Sequence, residues 1–467
     1  MDDRKKTAAD YATYSYWLES CGDDLTPRPR LDGSVDVDVA IMGAGYTGMW
    51  TAYYLLQHDP SLRVAVVERE IAGFGASGRN GGWCYPGFPV SGSILAERYG
   101  ADAARAVSSA MYDTYHEIDR VVRSEGIDAQ WKEGGALRLA RGEHERPSIE
   151  GGYQAAQALG LGDHYQLLDA KQTADLVRVS DVVAGLYNPT AASIHPARLA
   201  RGLARVIEAD GATIYEQTPV TDFEGGANPR LVTPYGDVRA KSVVLAGEAY
   251  SQQLAKLDRT LVPMSSLIVR PEPLSESDWD QIGWRNRELV SSSRMSVDYL
   301  NRTADGRVMF GGRGAPYRKN SLITDELDRH EPTHEMLRDL ARAWFPPLRH
   351  VRFTHAWGGP LGMPRDWMPT TSYDPRTGIA RAGGYTGQGG ATTNPVGRIP
   401  TGLIPRERTE ITQLPTVNHR SPLWEPEPLR WMGIRFAQEG FARLDKKAAA
   451  TGQAPTGTTL VERIGRH

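Results

Sequence analysis

Val37, Val39 and Ile41 alternate with polar or small neighbours, so residues 35–42 predict a strand that runs into the glycines behind it. Residues 47–57 carry Met49, Ala52, Tyr53 and Leu56 near helical spacing, and residues 63–68, RVAVVE, form a second short apolar run. Strand, helix and strand in that order predict the opening of an α/β unit. Beyond residue 92 the period lengthens. Ala104, Val107, Met111, Tyr115, Ile118 and Val122 recur at three- and four-residue steps, one apolar stripe on a long helix that Gly126 can close. Residues 131–140 predict a glycine-containing hairpin or strand, and residues 153–159 a short helix. Leu199, Leu203, Val206 and Ile207 form the inner face of a helix over residues 197–209, ended by Gly211. Residues 213–215 and 218–220 read as a strand running to a loop, and residues 241–248, KSVVLAGE, as a buried strand running into a glycine turn. Residues 297–314 hold two strands around an Asp305-Gly306 turn of hairpin type.

The first strand ends in GAGYTG, where Gly43, Gly45 and Gly48 make G-x-G-x-x-G and Ala44, Tyr46 and Thr47 supply the backbone between them. Glycines there allow a tight turn and a close backbone approach to a pyrophosphate, and the amides of the following helix face the same anion. Glu68 ends the second strand twenty residues after Gly48, where an acid grips the hydroxyls of a nucleotide ribose. In this context the fingerprint predicts a dinucleotide site.

Composition narrows the class. A chain of 467 residues suits two interleaved domains, and 40% hydrophobic with 24% charged residues is the balance of a globular protein. Net charge is −3, with lysine and arginine scattered, which argues against a nucleic-acid partner. Cys21 and Cys84 form neither a ligand spacing nor a disulfide framework. No signal-peptide pattern opens the chain and no apolar run spans a membrane, so a cytoplasmic protein is expected. HEPTH, His330 to His334, fits H-E-x-x-H, but Pro332 puts His330 ahead of any helix, so no metal site is expected. His195 is read as a structural helix-entry residue.

Residues 72–82, AGFGASGRNGG, follow the ribose-binding acid with Ser77 and Asn80 as polar anchors. Here the chain resembles the D-amino-acid oxidase/glycine oxidase superfamily of flavoproteins, most of all its bacterial gamma-glutamylputrescine oxidase-like branch. Residues 345–359 (F-P-x-L, W-x-G), 366–369 (D-x-x-P) and 382–390 (AGGYTGQGG) fit its pattern in family order, and residues 35–404 are covered. AGEA at residues 246–249 departs from the family's A-x-G-A-W.

The resemblance implies an α/β fold: a Rossmann-like FAD-binding domain (35–90, 184–260, 353–404) interleaved with an α+β substrate domain (91–183, 261–352) built on an antiparallel sheet. Residues 1–34 would be an arm packed on its own domain and 405–467 a C-terminal extension, with local disorder expected over 448–459. The implied cofactor is non-covalent FAD, held by Gly43 to Gly48, Glu68, Arg69, Gly75, Ala76, Ser77, Arg79, Asn80, Gly81, Gly82, Val220, Gly247, Gly384, Gly387, Gln388 and Gly389. Trp83, Tyr299, Trp357 and Tyr385 are the catalytic candidates, as aromatics around the substrate, with Tyr85 beside them. The implied reaction is oxidation of a primary or secondary amine: hydride to flavin N5, hydrolysis of the imine, and O2 reduced to H2O2. A dehydrogenase with another acceptor and a non-catalytic flavin subunit are the alternatives. Relatives that oxidise α-amino acids carry an arginine shortly after W-x-G. Here residues 359–361 are apolar and Arg365 is read as a partner of Asp366, so a substrate without an α-carboxylate is expected, unless Arg302 or Arg313 takes that role. Met309 stands where sarcosine oxidases put an oxygen-activating lysine.

Overall fold

The computed structural model describes residues 6–405, 407–455 and 459–461. A six-stranded sheet runs in the order Thr213–Tyr215, Val64–Val67, Val39–Met42, Ser242–Leu245, Ile379–Gly383, Thr370–Asp374, parallel except for its last pair. Its central strands are apolar at every position because both faces are covered. Val39, Ile41, Val64 and Val66 pack with Leu55 of the helix Tyr46–His58, Ile118 of Ala101–Ser124 and Leu203 of Pro196–Ala209. Ala40, Met42, Ala65 and Val67 face the other way, onto Phe223, Leu231 and Val238 of a small four-stranded sheet.

An eight-stranded sheet carries the rest, in the order Phe353–Met363, Val262–Pro271, Val308–Arg313, Asp298–Arg302, Leu289–Ser292, Ala136–Arg141, Val182–Asn188, Gln166–Asp169. Its pairs are antiparallel except Leu289–Ser292 with Ala136–Arg141. One face packs Leu137, Leu267, Leu300 and Phe310 on Leu337 and Trp344 of the helix Glu331–Trp344. The opposite face fronts the six-stranded part across a cavity.

Two strands lie where the sequence reading did not put them. Val182–Asn188 and Phe353–Met363, expected mostly on the FAD-binding side, are ladder members of the eight-stranded sheet, so the chain changes sheets after Asn188 and after Met363. An apolar run reads alike in either sheet, and its ladder partner is distant in sequence. Of the hairpin or strand expected over residues 131–140, the strand is present as Ala136–Arg141, and Lys132–Glu133 pairs with Ala192–Ser193 rather than in a hairpin. The expected short helix begins earlier, at Arg146, with a proline in its first turn.

Both termini are built in. Trp17 is 1% exposed and donates its indole N–H to Asn80 O at 2.7 Å, inside the glycine loop. Arg28 pairs with Glu208 at 2.6 Å and Glu216 at 2.9 Å. At the other end Trp424 donates to Met363 O at 2.8 Å, and both Asp445 oxygens accept amides, from Met295 and Ser296, at 3.0 Å. Of the tract expected to be disordered, residues 448–451 finish the helix Leu429–Thr451 and 456–458 lie outside the described residues.

Glu216 is 0% exposed and accepts the amides of Arg28 and Ala72 at 2.7 and 2.8 Å besides pairing with Arg28 and, at 3.5 Å, Arg201. Removing it takes one of two carboxylates from Arg28 and Arg201, which keep Glu208 and Asp23, and leaves the amides of Arg28 and Ala72 without their acceptor, a loss of about 1–3 kcal/mol for each buried group left unpaired. Glu216→Ala should therefore lower the urea midpoint sharply; a midpoint within error of wild type would refute this account.

Candidate active site

The turn after the first strand is as tight as the glycine spacing requires. Gly43 sits at φ 103°, and a Cβ on Gly48 would stand 1.9 Å from the Gly43 carbonyl oxygen. Without side chains there, the helix Tyr46–His58 presses its first turn into the cavity wall, where Gly45, Tyr46 and Thr47 all appear. First-turn amides have no intrahelical acceptor and favour an anion. Ser77 holds the turn by accepting the Tyr46 amide at 2.9 Å. Glu68 reaches across from the second strand and accepts the amides of Ala44 at 2.8 Å and Glu70 at 2.9 Å. Burial outweighs these donors and pushes its carboxyl up to about 7.

From this turn one cavity of about 860 Å³ runs past residues 74–88 and the loop 385–391 to the open face of the eight-stranded sheet. Gly43, Gly45, Tyr46, Thr47, Glu68, Arg69, Gly75, Ala76, Ser77, Arg79, Asn80, Gly81, Val220, Gly247, Gly387, Gln388 and Gly389 line it, as do Trp83, Tyr85, Tyr299 and Tyr385. Ala44, Gly48, Gly82 and Gly384 stand behind the wall. Gly48 closes the turn, Gly82 packs under Ile194 O, and the Gly384 amide donates to Glu248 at 3.2 Å.

Trp357 is the candidate that the structure moves away from substrate. It is 3% exposed, packed with Ile268 and Met309 outside the cavity lining, and donates its indole N–H to Arg79 O at 2.9 Å. Its strand turns this ring toward the glycine loop, so it props the loop. The other aromatics are pinned: Tyr299 hydroxyl to Ser266 Oγ at 2.8 Å, Tyr385 hydroxyl to Thr47 Oγ1 at 2.7 Å, Trp83 N–H to Leu300 O at 3.1 Å. Burial pushes Tyr299 up to about 12, so its phenol stays protonated. Arg79 lines the cavity but spends its charge on Asp328 at 2.8 Å, tying the loop to the substrate side. Arg302 is outside the lining, over the Trp279 ring at 3.8 Å, and Arg365 pairs with Glu425 at 3.1 Å rather than with Asp366, which bonds His419 at 2.6 Å.

Glu248, which sequence reasoning treated only as a departure from a motif, has a definite place. Its carboxylate accepts the amides of Gly362 at 2.6 Å and of Gly384 and Tyr385 at 3.2 Å, fastening the last glycine loop to the end of the Ser242–Leu245 strand. Nothing in the local pattern signals this, because all three donors lie more than a hundred residues away. His195 caps the helix Pro196–Ala209 by accepting the Arg198 amide, and His330 precedes the helix Glu331–Trp344. Among the described residues no histidine, cysteine or lysine lines the cavity, and no helix is long and apolar enough to cross a membrane.

Residues 38–401 match the family model described as FAD dependent oxidoreductase, DAO. The chain belongs to the DAO family of FAD-dependent oxidoreductases. It is 28% identical over 394 residues to gamma-glutamylputrescine oxidoreductase of Escherichia coli, covering 84% of this chain and 89% of that one. In fold it is similar to the crystal structure of glycine oxidase from Geobacillus kaustophilus, with TM-score 0.68, 22% identity and 83% and 99% of the two chains covered. L-proline dehydrogenase from P. horikoshii follows at TM-score 0.62 and 19% identity, with 83% and 96% covered. The residues present fit the cofactor: a side-chain-free turn and a helix start suit the pyrophosphate, and Glu68 suits a ribose.

Ribose hydroxyls placed there would donate hydrogen bonds that favour the Glu68 anion, so binding FAD would lower the pKa of a carboxyl that burial pushes up to about 7. FAD affinity should therefore be full above pH 7 and weaken as pH falls through it, by up to roughly tenfold per unit. Glu68→Gln should flatten that dependence and Glu68→Ala should cost about 1.5–3 kcal/mol of FAD binding; a pH-independent wild-type affinity would refute the assignment.

Proposed function

We propose that the chain is an oxidase of primary or secondary amines that reduces O2 to H2O2. The observation that carries this reading is the continuity of the cavity from the pyrophosphate turn to the aromatic wall of Trp83, Tyr85 and Tyr299, with no histidine, cysteine or lysine along it. Such a wall offers no imidazole, thiol or lysine amine, and the carboxylates along it are engaged by amides or cations, so the cofactor would supply the chemistry. Bound there, FAD would supply a two-electron acceptor for the hydride on the carbon next to nitrogen, with dioxygen as the final acceptor.

The chain's own part is to orient and to dry. The aromatic faces attract an ammonium on entry, and burial then favours the neutral amine, whose nitrogen lone pair forms the C=N bond as hydride leaves. Water hydrolyses the product to a carbonyl compound and a released amine. Glu248 and Arg313, which donates to Thr386 O at 2.9 Å, hold the loop 384–389 from two sides. The loop amides and the Arg313 charge would hold the flavin end of the cofactor and supply positive potential to it. Leu361 lines the cavity at the apolar stretch after W-x-G, which supports an amine without an α-carboxylate. Gamma-glutamylputrescine in the name of the E. coli relative agrees with an amine substrate. With no cysteine or histidine on the wall, the FAD is held non-covalently, and acid precipitation should leave a yellow supernatant; a yellow pellet would mean a covalent link.

An anaerobic panel of primary and secondary amines should bleach the bound flavin, and in air each active amine should yield H2O2. Dye reduction without peroxide would make the enzyme a dehydrogenase. Failure of every amine to bleach the flavin would favour the non-catalytic reading.

A further inference from the structure

Five arginines line the cavity: Arg69, Arg79, Arg138, Arg294 and Arg313. Arg69 and Arg79 pair with Glu70 and Asp328, and Arg294 with Asp298 at 3.0 Å. Arg313 donates Nη2 to the loop carbonyl of Thr386 at the cofactor end and, like Arg138, has no carboxylate partner among the described residues. Arg138 stands at the other end of the cavity. Its Nη2 donates to Ser148 O at 3.3 Å and to Ser148 Oγ, while Nε and Nη1 have no acceptor among the described residues. Glu145, the carboxylate that acts on it, accepts the Arg141 amide at 2.9 Å and is not within ion-pair distance. Burial in the cavity wall drives the half-buried Arg138 guanidinium below its ordinary value, against the opposing pull of Tyr85 and Glu145.

The ladder gives the position. Arg138 is registered with Ser291 and Ser291 with Tyr299, so all three share the cavity face, two strand spacings or roughly 10 Å from end to end. Tyr299 abuts Gly81 of the cofactor loop, where a Cβ would stand 2.7 Å from the ring. At the far end the hydroxyls of Tyr85 and Tyr165 lie 3.5 Å apart, and burial holds the Tyr85 phenol protonated as a donor.

We propose that Arg138 is a specificity residue that binds a carboxylate carried by the amine substrate at its distal end, about seven or eight chain atoms from the carbon oxidised beside Tyr299. Ser148 holds Nη2, while Nη1 keeps its N–H donors, and the guanidinium its charge, for a charge-assisted hydrogen bond to a carboxylate oxygen. Roughly 10 Å of extended chain corresponds to that number of atoms. The proposal rests on the amine-oxidising reading and adds the second recognition point to it.

The test uses the FAD-loaded enzyme with octanoate and octanamide, which bear no amine and cannot be oxidised, so binding is read by calorimetry independently of turnover. Octanoate should bind at least about tenfold more tightly than octanamide. Arg138→Met should erase the preference at unchanged FAD content, and Arg138→Lys should retain part of it. In turnover, Arg138→Met should raise KM for 8-aminooctanoate with little change in kcat and leave octylamine unaffected. Equal binding of the two probes by wild type would overturn the proposal, whatever the variants do. So would a preference that survives Arg138→Met and is lost in Arg313→Met, since that places the carboxylate at the cofactor end. Normal octanoate binding with no flavin bleaching by 8-aminooctanoate would instead count against amine oxidation, leaving the carboxylate site standing.

Discussion

A loop that must bring bare backbone against a dinucleotide cannot also spend its amides on a sheet ladder, yet buried N–H groups need acceptors. Here carboxylates from other parts of the chain provide them. Glu68 takes the amides of Ala44 and Glu70, Glu216 those of Arg28 and Ala72, and Glu248 those of Gly362, Gly384 and Tyr385. Each links segments that the cofactor site needs together: the glycine turn with the second strand, the N-terminal arm with the next loop, the last glycine loop with the Ser242–Leu245 strand. With two oxygens each, these carboxyl groups can accept hydrogen bonds from two or three separate amides at once.

This dependence explains what the sequence made legible. Pieces of the six-stranded sheet built from local rules were readable: the glycine spacing, the helix after it and Glu68 at the end of the next strand; the single strand expected over 35–42 is two, Val35–Asp36 in the four-stranded sheet and Val39–Met42 in the six-stranded one, buried at every position. The hairpin around Asp305-Gly306 was readable for the same reason, with Asn301 opposite Met309 and Gly306 at φ 72°. Sheet membership of Val182–Asn188 and Phe353–Met363 was not, because burial makes both strands apolar and their partners are remote. Trp357 misled by proximity in sequence to the W-x-G motif; whether its ring meets the cavity depends on strand register. Glu216, Glu248 and Arg138 carried no local signal, since a charged residue in a strand or turn reads as exposed until its surroundings are known.

The two sheets divide the labour by their geometry. Parallel strands feeding glycine turns present backbone, which suits a cofactor whose phosphates and ring ask for N–H donors. An antiparallel sheet with one face on the Glu331–Trp344 helix presents alternate side chains on the other face, and those side chains do the selecting. Arg79 and Trp357 bridge the two, as the guanidinium reaches Asp328 and the indole reaches Arg79 O. The arm adds Trp17 under Asn80, so the loop between cofactor and substrate is held from three directions.

The charges facing the cavity are not balanced against each other. Its carboxylates are occupied: Glu68 and Glu248 by amides, Asp298 by Arg294, Glu70 by Lys6 at 2.8 Å. Arg138 and Arg313 have no carboxylate partner among the described residues. Buried cations left without anions are costly unless a ligand brings the missing charge. The first turn of the Tyr46–His58 helix adds partial positive charge at one end, Arg313 at the middle and Arg138 at the far end. The cavity is therefore complementary along its length to negative charge: the pyrophosphate, the electron-rich pyrimidine of the reduced cofactor, and an anionic substrate tail. On the amine-oxidising reading, this positive field would add to burial in favouring loss of the proton from an ammonium held by the aromatic faces.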